Sequence, residues 1–208
     1  MSLQEIPLSL HPAYASVEID QLIVEARRRA DAFHASGLGK RFPKYVPSDH
    51  ELVHAAMATL IRDEKLSGRV FCEWGCGFGV TTGIASLLGM EAHGIEIEDG
   101  LADQAESLWD DLGIEAELHR CSYLPDGFEV SEGVGGADLI VPESTSGGAL
   151  GTALLYEELD PESVDLFFAY PWPGEEQMMM DLFAAIAADE ATLLLYTSDG
   201  EITAYWHE

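Results

Sequence analysis

Apolar residues recur along this chain with two different periods, and the switches between them mark its elements. Over residues 17–36 the apolar positions Ile19, Leu22, Ile23, Ala26, Ala30 and Phe33 follow helical spacing, and Gly37 supplies a stop. A second helix is expected to open at Ser48-Asp49-His50-Glu51, a capping box with Ser48 as N-cap. It would run to about Glu64 and bury Val53, Met57, Leu60 and Ile61. The short apolar run 70–72 predicts a buried strand, and residues 80–88 have the composition of a helix ending near Gly89. Residues 92–98 alternate as a second strand that ends in acids. Residues 101–112 place Leu101, Ala105, Leu108, Trp109 and Leu112 on one helical face before Gly113, and 115–121 read as a third strand. Farther on, 164–169 is a continuous apolar strand, and 175–188 a helix with two acids in its first turn. Within that helix Met178, Met179 and Met180 read as core filling. Residues 192–197 form another strand, Ser198-Asp199-Gly200 a turn, and 202–206 a last short strand.

Residues 122–162 carry a weaker pattern. Pro125-Asp126-Gly127 reads as a turn, 144–148 as a small-residue loop and 150–159 as a helix, while 138–141 fits either a strand or an excursion. Strands and helices that alternate through short connections imply crossovers and a parallel sheet. The expected class is α/β: a doubly wound, mostly parallel sheet of six to seven strands with helices on both faces. A single domain is expected over 1–208, with 1–66 as an N-terminal helical extension and 67–208 as the core.

Composition narrows this picture. Apolar residues make up 47% of the chain, yet no run approaches the length of a membrane span. The opening Met1-Ser2-Leu3-Gln4-Glu5 lacks a basic region followed by an apolar one, so no secretory signal is expected. Three cysteines, an odd number, suggest reduced thiols and a cytoplasmic location. The net charge of −28 is unevenly placed: residues 1–69 carry nine acids and nine bases, whereas 70–208 carry 29 acids and one base, Arg120. Such a body repels phosphate backbones, so a nucleic-acid partner is disfavoured unless the N-terminal segment does the gripping. The bases Arg27, Arg28, Arg29, Lys40, Arg41 and Lys44 are read most simply as a solvated helix face and loop. His50 and His54 stand four apart but have no third ligand placed by the sequence, and no metal is expected.

The candidate chemistry gathers in residues 70–83, where the first core strand ends at Glu73 and the chain passes through Gly75, Gly77 and Gly79 into a helix. A strand that turns through glycines lets a ligand approach bare main chain, with the helix N-terminus facing it. The dinucleotide spacing G-x-G-x-x-G fails: its third glycine falls on Val80 when counted from Gly75 and on Thr82 when counted from Gly77. What stands here is Glu-x-Gly-x-Gly-x-Gly, which resembles motif I of the class I S-adenosylmethionine-dependent methyltransferases, over about residues 45–197.

The resemblance implies a Rossmann-like core with S-adenosyl-L-methionine as cofactor. It implies that Glu73 and the main chain of Gly75, Cys76, Gly77 and Gly79 hold the methionine part, with Cys76 a small residue facing the cofactor. Glu96, followed by Ile97, takes the place of the acid that binds both ribose hydroxyls. Ser122 in Cys121-Ser122-Tyr123 stands near the adenine position, where the family's frequent acid is absent. Tyr170-Pro171-Trp172-Pro173 follows the fourth strand, where the family presents its substrate, although the Asn or Asp of the amino-group motif is missing. Tyr170, Trp172 and Glu175 are the catalytic candidates, with Glu176 and His50 as further bases by location. Tyr45, at the start of 45–48, is expected to fold over the cofactor as part of a lid. The implied activity is in-line methyl transfer to an acceptor that is a small molecule or protein rather than nucleic acid. Two rival readings are a non-catalytic nucleoside-binding module of the same fold and a nicotinamide-dependent oxidoreductase, the latter disfavoured by the glycine spacing.

Overall fold

A computed structural model describes residues 3–10, 15–43, 45–124 and 159–208. At its centre lies β2 (Val70–Trp74), buried from Phe71 onward and paired in parallel on one side with β3 (Glu91–Ile95) and on the other with β5 (Leu166–Ala169). A parallel strand covered on both faces reads as a continuous apolar run, which is why these segments were legible. Parallel pairing continues outward to β4 (Glu117–His119) beyond β3 and to β6 (Thr192–Tyr196) beyond β5. Antiparallel β7 (Ile202–His207) follows β6, and β1 (Leu3–Ile6) lies antiparallel beyond it. The described residues thus form a seven-stranded sheet of order β1-β7-β6-β5-β2-β3-β4, the doubly wound α/β fold expected.

The seventh strand lies in the segment expected as an N-terminal helical extension, where Leu3 pairs with His207 and Ile6 with Ala204. The possible strand at 138–141, the turn at Pro125-Asp126-Gly127, the loop at 144–148 and most of the helix at 150–159 lie outside the described residues.

Alternation along β2 sends Phe71 to one apolar layer and Cys72 and Trp74 to the other. On the first face pack α1 (Val17–Ala35), α2 (His50–Arg62), α3 (Val80–Leu87) and α4 (Asp99–Leu112), contributing Leu22, Met57, Ile84 and Leu108. On the second face α5 (Glu176–Ile186) contributes Met179, Leu182 and Phe183, so two of the three methionines are buried core. No helix among the described residues is long and apolar enough to cross a membrane.

The N-cap of α2 is Asp49, not Ser48: the Asp49 carboxylate accepts from Leu52 N at 3.0 Å. Glu51 does not complete a capping box either, because it reaches across to Arg27 on α1 at 3.0 Å. Adjacent Ser and Asp are both competent caps, and the anion suits the helix dipole better. On α1, Arg28 pairs with Glu25, and Arg29 bridges Glu25 and Asp111 of α4, as a solvated basic face would. Arg120 sits among Asp99, Asp103 and Glu106.

Candidate functional site

A cleft opens where β2, β3 and β5 end. Glu73, Trp74 and the turn after β2 form its floor, Glu96 and Ile97 one side, and Tyr170, Pro171 and Trp172 the other. Tyr45, Val46, Pro47, Ser48 and His50 line it from the N-terminal segment. This is the crevice that open α/β sheets use for ligands.

The turn is shaped by two glycines with different tasks. Gly77 has φ +55°, and a Cβ there would lie 2.7 Å from the Tyr45 ring, which stacks on Phe78 at 4.6 Å and 15°. Its N–H donates to Glu96 Oε2 at 2.8 Å, so the glycine ties the turn to the acid after β3. Cys76 N–H donates to Ile95 O at 2.8 Å and reinforces that tie. Gly79, with φ +66°, does not line the cleft; it caps α3 and lies under Trp109, whose Nε1–H donates to its carbonyl at 2.8 Å. Gly79, expected to contact the ligand, thus packs against the core beneath the turn, outside the cleft lining.

Two buried carboxyls face this turn. One oxygen of Glu73 accepts from the Thr82 N–H at 2.8 Å and the Thr82 hydroxyl at 2.6 Å, which fixes the acid against the first turn of α3. Glu96 uses both oxygens, one for Gly77 N–H and the other for Glu98 N–H at 2.8 Å. Burial lifts Glu73 to about 7 against the pull of its Thr82 bonds, and likewise lifts Glu96 to about 7 against its main-chain donors.

These raised values carry a pH prediction. An acid whose folded value exceeds its ordinary 4.5 binds more protons folded than unfolded between those values, so its contribution to stability is lost as pH rises from 4.5 to about 7. Melting measured across that window is expected to show a smaller fall in Glu73→Gln than in the wild type. Equal falls in the two proteins would contradict the assignment for Glu73.

Most of the expected residues converge on the cleft: Glu73, Gly75, Cys76, Gly77, Glu96, Ile97, Tyr45, Tyr170, Trp172 and Glu175 all line it. Ser122 does not. It is buried, its hydroxyl accepts from Leu124 N at 3.0 Å, and its neighbour Tyr123 takes the cleft position. Tyr123 stacks on Trp74 at 5.9 Å and 21°, an aromatic wall that sequence reasoning missed. Burial pushes the Cys76 thiol well up, which leaves it a protonated, unreactive packing group. Tyr170 meets Tyr196 edge-on at 4.7 Å, and Trp172 is 39% exposed at the mouth. Glu175 is buried beside α5, whereas Glu176 is half-buried and accepts from Gly174 N at 2.8 Å outside the cleft. His50 lines the cleft with burial holding it down to about 4, hence neutral at pH 7, while His54 is buried elsewhere.

No protein-family model matches the chain, and no curated protein does either. Solved structures do. An RNA methyltransferase from Salinibacter ruber, in complex with S-adenosyl-L-homocysteine, is 15% identical with a TM-score of 0.50, over 77% of this chain and 92% of that one. The magnesium protoporphyrin IX methyltransferase from Synechocystis PCC 6803 is 16% identical with a TM-score of 0.46, over 79% and 68%. An S-adenosylmethionine-dependent methyltransferase from Clostridium acetobutylicum ATCC 824 is 9% identical with a TM-score of 0.46, over 80% and 56%. The first of these identifies the fold as that of the class I methyltransferases.

Proposed function

We propose that the chain is an S-adenosylmethionine-dependent methyltransferase, and one observation carries the reading: Glu96, buried at the carboxyl end of β3, is pinned by Gly77 and Glu98 N–H groups at the edge of the cleft. A carboxylate has about four lone-pair sites, so each oxygen that already accepts one N–H retains capacity for a hydroxyl of a cis-diol. The residues present therefore fit a ribose. The cofactor itself supplies the electrophilic sulfonium methyl, and the protein's part is alignment and exclusion of water.

Glu96 orients the nucleoside, while Glu73 holds the start of α3 and, through it, the bare turn at Gly75 and Gly77. Tyr170 and Trp172 offer aromatic faces, which attract a cationic centre. Transfer would form a bond from an acceptor lone pair to the methyl carbon and would return the broken bond's electrons to sulfur. Glu175, buried in the wall, is the group placed to accept a proton from an acceptor that arrives protonated. The Salinibacter ruber protein is an RNA methyltransferase, but 29 acids against one base over residues 70–208 favour a small molecule or protein here.

Titration calorimetry of the wild-type chain with S-adenosylhomocysteine and, separately, with NADH tests the reading. One-site heat is expected with the first ligand and none with the second. Silence with both S-adenosylhomocysteine and S-adenosylmethionine would sink it, and binding of NADH alone would replace it with the oxidoreductase. Transfer of labelled methyl to components of an extract separates an enzyme from a binding module.

A further inference from the structure

The side chains that converge outside the cleft lie on the neighbouring strands β3 and β4. Their parallel register sets His93 beside Glu117 and Ile95 beside His119. Because side chains alternate, Glu117 and His119 share one face of β4, and His93 points between them from β3. Its Nδ1 stands 3.2 Å from His119 Nε2 and 3.4 Å from Glu117 Oε2, and the three donor atoms all lie within 4.8 Å of one another. We propose that His93, Glu117 and His119 are the ligands of a divalent transition-metal ion of zinc's chemistry, at a site distinct from the cleft.

The separations match those of a metal site. A tetrahedral zinc with bonds near 2.0–2.1 Å requires donors about 3.3–3.4 Å apart, and the two short separations here are close to that edge length. Two histidines and one carboxylate on rigid strands also form a recurrent zinc set, with a fourth position left for water.

His93 is 4% exposed, and among the described residues its Nε2 has no hydrogen-bond partner. Ligation through Nδ1 would put the proton on Nε2, with Glu91 Oε1 3.6 Å away. The Glu117 side chain is 68% exposed, which gives the ion an entry path, and the acidic body around it favours cations. The site was invisible in the sequence because His93 and the Glu117-x-His119 pair lie in different strands, and only the register brings them together.

The test uses tag-free, chelator-treated protein titrated with Co²⁺ and then Zn²⁺, alongside Glu117→Gln and His119→Gln. Both variants lie on the edge strand, and circular dichroism checks their folding. The wild type is expected to take up one equivalent of Co²⁺ with the visible bands of a four-coordinate ion, displaced by Zn²⁺. At least one variant is expected to bind Zn²⁺ tenfold or more weakly. Absence of the bands and of stoichiometric uptake in the wild type overturns the proposal, and so does unchanged Zn²⁺ affinity in both variants.

Discussion

Replacing Gly79 by alanine is expected to lower the melting temperature by about 5–26 °C, with three causes acting together. The residue sits at φ +66°, where an L side chain costs about 1–2 kcal/mol. A Cβ there would lie 2.7 Å from Trp109 Cε2, inside a core where forced repacking costs about 1–3 kcal/mol. Moving the indole also endangers the Trp109 Nε1–H bond to the Gly79 carbonyl, for about 0.5–1.5 kcal/mol more. Gly113→Ala is the comparison. That glycine has φ +64° but nothing within 4 Å of the added carbon, so only the first cause applies, and a fall of about 2–8 °C is expected. Scanning calorimetry of both variants decides the matter. If they melt together, the indole contact is not what makes position 79 a glycine.

Glu96→Ala carries the largest expected effect on binding. Two charge-assisted hydrogen bonds to a ribose diol are worth about 1.5–3 kcal/mol each, so S-adenosylhomocysteine affinity is expected to fall by roughly a hundredfold or more. The substitution also strips the acceptor from the Gly77 and Glu98 N–H groups, which loosens the turn. Glu96→Gln keeps one acceptor oxygen and is expected to fall between the wild type and the alanine variant. Because Glu96 is a carboxyl that burial pushes up to about 7, neither change is expected to unfold the protein. Calorimetry gives the affinities and thermal melting the control. An alanine variant that binds within threefold of the wild type removes Glu96 as the nucleoside anchor.

How much of this was legible in the sequence depended on how far each signal reaches along the chain. Buried parallel strands announce themselves, and 164–169 or 192–197 needed no partner to be recognised. The acid-and-glycine turn was legible for the same reason, since Glu73, Gly75 and Gly77 are contiguous. Leu3–Ile6 was not: only four residues long, with Gln4 and Glu5 exposed between half-buried ends, it becomes a strand through the edge of β7. Gly79 looked like its neighbours, and its different task came from Trp109, thirty residues on. Likewise Ser122 and Tyr123 were one position apart, and the bend after β4 set which of them lines the cleft. Local chemistry pointed to the residue types; long-range packing decided which of them line the cleft.

The pairing of β1 with β7 bears on the order in which the molecule can assemble. Leu3–Ile6 is made long before its ladder partners, every one of which lies between Ala204 and His207. The loop closed by that pairing encloses roughly two hundred residues, and its entropic cost rises only slowly with length, so the contact is affordable but necessarily late. That edge of the sheet is thus completed only after the ribosome has delivered residues 204–207. Until Leu3–Ile6 docks on it, β7 presents an open edge of the kind that invites pairing with another chain.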